Sequence, residues 1–206
     1  MRLRLSESAC VAKGTFNIYI FQPQWVNEII GVEADRLIRM EADFSRPGFQ
    51  FRLDDPKSVW SIRPDGIVVS SKSRGVSCGH YLAKVLTALP VTPMQALGNN
   101  FAFKPVDEES DLPCETSKNW LEYAAKLQDI SVASVSASIR RGSTIFNTAI
   151  HVSTDDGVTV QVNVHRDGLS IEEYQTAAKK FDSDLTAAAE LLENEMGFEV
   201  TNDDSV

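Results

Sequence analysis

The residues with the widest chemical range are three histidines, His80, His151 and His165, and three cysteines, Cys10, Cys78 and Cys114. His165 follows Asn163 by two positions and precedes Asp167 by two, and one predicted hairpin separates it from His151. An imidazole beside a carboxylate can move a proton or ligate a metal. His151, His165 and Asp167 are therefore the candidate set for an enzyme or small-ligand site. No HxH or HExxH spacing accompanies them, so neither a metal nor a cofactor is expected, and no catalytic residue can be named. Cys78-Gly79-His80 opens a predicted helix, where the N-terminus lowers a thiol's pKa and favours a nucleophile. No protease signature surrounds it, and a packed cysteine is the expectation. The cysteines are odd in number and form no CxxC pair, which speaks for a reducing, cytoplasmic setting and against structural zinc. GxGxxG, GxxxxGK[ST] and GxSxG are all missing from the sequence.

These side chains need a scaffold, and residues 158–195 are its clearest part. Val158, Val160, Val162 and Val164 alternate with Thr159, Gln161, Asn163 and His165, the period of a half-buried strand. The polar row, extended by Asp167 and neighbouring His151, is the expected ligand or partner face. A turn at 166–168 leads into the capping box Ser170-Ile171-Glu172-Glu173. Ile171, Tyr174, Ala178, Phe181, Leu185, Ala188 and Leu192 then form one apolar stripe, predicting a single helix of about seven turns that Gly197 ends.

Elsewhere the pattern predicts a strand at 15–21, a short helix around Trp25 stopped at Gly31, and strands at 36–44 and 49–53. Residues 59–62 and 67–71 face each other across Arg63-Pro64-Asp65-Gly66, strong turn chemistry. A helix is expected over 79–89, and an extended segment over 92–103 bent at Gly98-Asn99-Asn100. Ser117 caps an expected helix through Trp120. Strands at 130–139 and 144–152 precede the valine strand, and 198–200 adds a short last one.

The element order occurs twice: strand, short helix, strands, helix. The predicted fold class is α+β, an antiparallel, curved sheet with helices packed on one face, built from two pseudo-repeated β-α-β(3-4)-α units. The first unit spans 1–104 and the second 105–206 after an acidic linker at 105–116, together one intimately packed globular body. This order resembles the saddle of the TATA-box-binding-protein fold, seen also in helix-grip domains; the likeness is one of topology and carries no function. Separately, Val91-Thr92-Pro93-Met94-Gln95-Ala96-Leu97-Gly98-Asn99-Asn100-Phe101, followed by Trp120 and Asn163-Val164-His165, resembles a group of uncharacterised bacterial and phage proteins with a TPVTALGIN-like stretch. The pattern departs after Gly98, where Asn99 replaces an apolar residue. That resemblance implies the fold order and a bacterial or phage origin, and no mechanism.

Charge divides the chain unevenly. Residues 1–104 carry 13 Lys/Arg against 9 Asp/Glu, a balance of +4, and residues 105–206 carry 7 against 20, a balance of −13. The overall net charge of −9 argues against non-specific nucleic-acid binding, which needs phosphate contacts from Lys and Arg. No run approaches the roughly 18 apolar residues of a membrane span. The preferred expectation is a non-enzymatic binding or assembly protein whose partner is another protein or another copy. It would act through its sheet face and charge asymmetry. The alternative is an enzyme or small-ligand binder with a pocket between the sheet and the long helix, using His151, His165 and Asp167.

Overall fold

A computed structural model describes residues 1–31, 37–42, 47–54, 57–106, 132–153 and 157–201. The hairpin at its heart follows the turn chemistry closely. Strands β4 (Lys57–Arg63) and β5 (Gly66–Ser71) pair antiparallel, with Arg63 opposite Gly66 and Trp60 opposite Val69. Trp60, Ile62, Ile67 and Val69 are fully buried on one side, while Val59, Ser61, Val68 and Ser70 look to the other. β3 (Phe49–Asp54) extends the pattern by stacking Phe51 on Trp60 at 5.3 Å, and β2 (Leu37–Ala42) pairs with β3.

The remaining strands are β1 (Arg2–Gly14), β6 (Met94–Pro105), β7 (Val132–Arg141), β8 (Thr144–Ser153), β9 (Gly157–Asp167) and β10 (Glu199–Thr201). The sheet order is β2-β3-β4-β5-β1-β6-β9-β8-β7, with β10 parallel to β1. Two runs are visible in that order. In each, the strand earliest in sequence, β1 or β6, lies innermost and the later ones follow outward in reverse. The fold is α+β and predominantly antiparallel, as the alternation and turns predict, and the repeated order is visible in the pairing.

By compactness the chain forms two units, drawn differently from the sequence halves. Unit 1 holds Met1–Ser6, Phe101–Val164 and Leu185–Val206; unit 2 holds Glu7–Asn100 and His165–Asp184. In unit 1, β8 turns Phe146 and Ile150 inward and β9 turns Val160, Val162 and Val164 inward. In unit 2 the inward residues of β1, β3, β4 and β5 pack under α1 (Pro23–Ile30), α2 (Cys78–Ala88) and α3 (Ile171–Lys179).

Four expectations are corrected. The first strand is Arg2–Gly14, not residues 15–21. Its Ser, Ala and Cys positions gave little β signal, yet Ser8, Cys10 and Ala12 are buried because helices lie directly over small side chains. Residues 15–21 instead form a loop and a 3₁₀ turn, Ile18–Ile20, in which Asn17 Oδ1 accepts the Tyr19 N–H. That local bond outcompetes pairing in a strand. Gly98-Asn99-Asn100 makes no bend, since β6 runs unbroken through it.

The long helix is two, α3 and α4 (Phe181–Asn194). At Lys180 (φ −80°, ψ 8°) the backbone N–H is shared between the carbonyls of Ala177 and Ala178, and the regular ladder is interrupted. Its N-terminal capping box forms as expected, with Ser170 Oγ accepting the Glu173 N–H and the Glu173 carboxylate accepting the Ser170 N–H. Gly197 (φ 73°) follows the helix in the left-handed conformation. The expected helix after Ser117, through Trp120, lies outside the described residues, as do Asp155 and Asp156.

Gly79 shows how closely α2 crosses α3. A Cβ added there would stand 2.2 Å from the Ala178 carbonyl oxygen and 2.5 Å from Phe181 Cβ. Alanine is the better helix former by about 1 kcal/mol, so propensity alone predicts that Gly79→Ala stabilises. The crossing predicts the reverse, a loss on the order of 3 kcal/mol. Urea denaturation of the two proteins decides between them.

Candidate functional site

The sequence-predicted polar row stands where strand parity puts it. Val160, Val162 and Val164 are buried, Gln161 is exposed, and Thr159 and Asn163 are half-buried on the opposite parity. On this open side of unit 1 hydrogen bonds link neighbouring strands, and Arg140 shares the parity of Ser138. Ser138 Oγ and Asn147 Oδ1 share a hydrogen bond of 2.7 Å, and Asn147 Nδ2 donates to Asn163 Oδ1 at 3.2 Å, joining β7, β8 and β9. His151 lies on β8 opposite Ser134.

His165 and Asp167 belong to unit 2. Their side chains are neighbours along β9, with His165 Nε2 3.6 Å from Asp167 Oδ2. Val164 and Arg166 point toward the helices, so His165 faces away from them. The helix side is filled by Tyr174, Ala177, Ala178 and Phe181, all at most 4% exposed. The pocket expected between sheet and long helix therefore does not engage His165. Among the described residues no group of His, Cys, Asp and Glu is arranged to hold a metal.

Cys78 is packed, as expected, rather than poised as a nucleophile. Its Sγ lies 3.7 Å from the Ser8 carbonyl and 3.9 Å from Ser8 Oγ, and burial pushes its pKa from 9.0 up to about 12. Cys10, fully buried, is raised well above its ordinary value, first by burial and then by the neighbouring Cys78 and Asp184.

What the sequence reading missed is the polar knot behind the sheet. Arg166 donates two hydrogen bonds to Asp184, Nη1 to Oδ2 at 2.6 Å and Nη2 to Oδ1 at 2.7 Å. Asn99 Nδ2 donates to the same Oδ2 at 2.7 Å. Asn99 is completely buried and the two charged residues nearly so. A bidentate pair of this kind is charge-assisted and directional, and each member left alone would be a buried, unmatched group. Its sequence signal was present: Arg166 and Asn99 hold inward parities, and Asp184 lies on the apolar side of α4.

The open face of unit 2 carries the other feature. Val11, Val59 and Val68 floor a depression of about 260 Å³ on β1, β4 and β5. Gln50, Ser61 and Ser70 add hydrogen-bonding groups, and Lys13, Arg63 and Asp65 form its rim. Lys13 Nζ sits 3.7 Å from Asp65 Oδ2, both well exposed. Arg52 joins the same face, because it lies directly opposite Val59. Neither Arg52 nor Arg63 has an ion-pair partner among the described residues.

No family model matches this chain, and no curated protein is similar to it. Among solved structures, Methanococcus jannaschii TBP is similar over 91% of this chain and 99% of that one, at 16% identity and a TM-score of 0.30. At that score the likeness carries no argument. No helix among the described residues is long and apolar enough to cross a membrane.

The pKa of Cys78 has a consequence for stability. The folded protein holds this proton to higher pH than the unfolded chain does, so the contribution is complete below pH 9 and is lost as pH rises toward 12. Unfolding free energy measured across that window should fall with pH, and fall less steeply in Cys78→Ala. Equal slopes in the two proteins would contradict the buried thiol.

Proposed function

We propose that this is a non-enzymatic binding or assembly protein that works through the open face of its sheet. The observation that carries the reading is the depression on β1, β4 and β5, where a valine floor is ringed by Ser61, Ser70, Lys13 and Arg63, with Arg52 on the same face. Apolar floor with directional polar groups at its edge is what a recognition surface needs: area for contact and a few groups to fix register. Among the described residues the opposite side of the same strands is covered by packed helices. Arg63 and Arg52 favour an acidic protein segment, since guanidinium groups bind carboxylates two bonds at a time.

The alternative enzyme reading rests on the His165–Asp167 pair alone. Among the described residues of unit 2 the two thiols, Cys10 and Cys78, are both buried with raised pKa values, so neither is a ready nucleophile beside it. Binding is the better-supported reading.

Titration with an oligoglutamate peptide at low ionic strength, followed by amide chemical shifts, tests it. The expected changes fall on Lys13, Ser61, Arg63 and Ser70, and they vanish in Arg52→Glu/Arg63→Glu. Changes confined to the helices, or none at all, would refute the sheet-face reading.

A further inference from the structure

The strand order ends on β2 at one side and β7 at the other, so each offers one lateral edge without a strand partner among the described residues. An edge presents a row of backbone N–H and C=O groups ready to pair with another strand, and proteins ordinarily blunt it. β2 is blunted: it is six residues long, a register shift separates Leu37 from Arg39, and it carries Arg39 and Glu41. β7 is not. Its ten residues pair with β8 without a register shift, from Val132 opposite Ser153 to Arg141 opposite Thr144. From Val132 to Ile139 it holds no proline, glycine or charge. Ser134, Ser136, Ala137 and Ser138 are exposed, Ala137 even though it shares the face of the buried Phe146, Thr148 and Ile150.

The turn fixes which backbone groups lie open. Arg141 and Thr144 close the two-residue loop Gly142-Ser143, with Gly142 at φ 62°, and in such hairpins the closing pair is hydrogen-bonded. Bonded and non-bonded pairs alternate from there. Ile139, Ala137 and Val135 therefore turn their N–H and C=O groups toward β8, and the Thr148 hydroxyl accordingly reaches the Ala137 carbonyl at 3.3 Å. Arg140, Ser138, Ser136 and Ser134 turn theirs to the free edge.

We infer that this edge is taken by β7 of a second copy, running antiparallel about a two-fold axis at Ala137. Each Ser136 then lies opposite the other copy's Ser138, each Val135 opposite its Ile139, and each Ser134 opposite its Arg140. Any extended strand can use the open backbone groups; the side chains select a copy. Apolar meets apolar and polar meets polar, and serines face each other across the new ladder. Ser136, Ala137 and Ser138 are small enough to let the axis close. No like charges oppose each other, since Arg140 meets a serine and Arg141 is held by Glu195 of its own chain. Antiparallel self-pairing occupies both edges at once, so the assembly closes at two. The contact does not involve the depression on β1, β4 and β5, and it stands or falls separately from the sheet-face reading.

Charge swaps on β7 test the register by sedimentation velocity. Wild type is expected to sediment as two chains at high protein concentration. Ser136→Lys/Ser138→Lys sets like charges opposite each other on both sides of the axis and should weaken the dimer by about tenfold or more, as should Ser136→Glu/Ser138→Glu. Mixed in equal amounts, those two variants should associate as a heterodimer. Ser136→Pro removes an edge-facing N–H and leaves the β8 ladder intact, so it too should lose the dimer, with circular dichroism checking that each variant is folded. Hydrogen exchange supplies a second readout: the Ser136 and Ser138 amides should gain protection as concentration rises, while the Ala137 amide is protected throughout. A wild type that stays a single chain or grows beyond two would overturn the inference. So would a dimer indifferent to these substitutions, or a mixture of the two charged variants that fails to associate.

Discussion

The ion pair between Arg166 and Asp184, completed by Asn99, is the constraint on which the rest of unit 2 depends. It joins the end of β9, the middle of β6 and the first turn of α4 at one buried point. Two charges placed there are costly unless geometry is good and remaining lone pairs are used. The bidentate contact and the Asn99 Nδ2 donor meet both conditions for the Asp184 carboxylate, while Asn99 Oδ1 is buried with no hydrogen-bond partner among the described residues. Hydrophobic packing alone would tolerate a shift of α4 along the sheet; a fork of two N–H donors on one carboxylate does not. The interruption at Lys180 belongs to the same arrangement, since the next turn carries Phe181 onto Gly79 and Asp184 onto Arg166.

From that anchoring follows the division of labour between the two faces. Small residues on the inward side of β1 and the bare backbone at Gly79 let the helices come close, and large ones, Trp60, Tyr174 and Phe181, fill what remains. Among the described residues the open side is the other one. There the outward parities gather polar groups: a Ser–Asn ladder in unit 1, and arginines over valines in unit 2. Part of the sequence's charge asymmetry acquires a location in the same way, with Arg52 and Arg63 on β3 and β4 and Asp182, Glu190 and Glu193 on α4.

Much of this was legible in the residues, and the reasons for the rest are physical. The Arg63–Gly66 turn, the capping box at Ser170 and the alternating valines each satisfy a local rule that tertiary structure had no cause to override. β1 was missed because its small buried residues score as neither strand nor helix until a helix covers them. Residues 15–21 alternate convincingly, yet Asn17 supplies a local hydrogen bond that a strand would forgo. The knot was passed over because Arg166, Asn99 and Asp184 are distant in sequence, and each is ordinary alone. Only their shared inward parity marks them. Of His151, His165 and Asp167, adjacency in sequence made only the last two legible as a pair, and they are neighbours along β9.

A double-mutant cycle on Arg166 and Asp184, read by chemical denaturation, tests the central claim that this pair specifies how the helices seat on the sheet. Arg166→Met and Asp184→Leu should each cost about 3–5 kcal/mol, by leaving one buried charge unmatched. The double variant should recover most of that loss, giving a coupling energy of several kcal/mol. Additive losses in the double variant, with no coupling, would show that the pair is incidental and that packing alone positions α4.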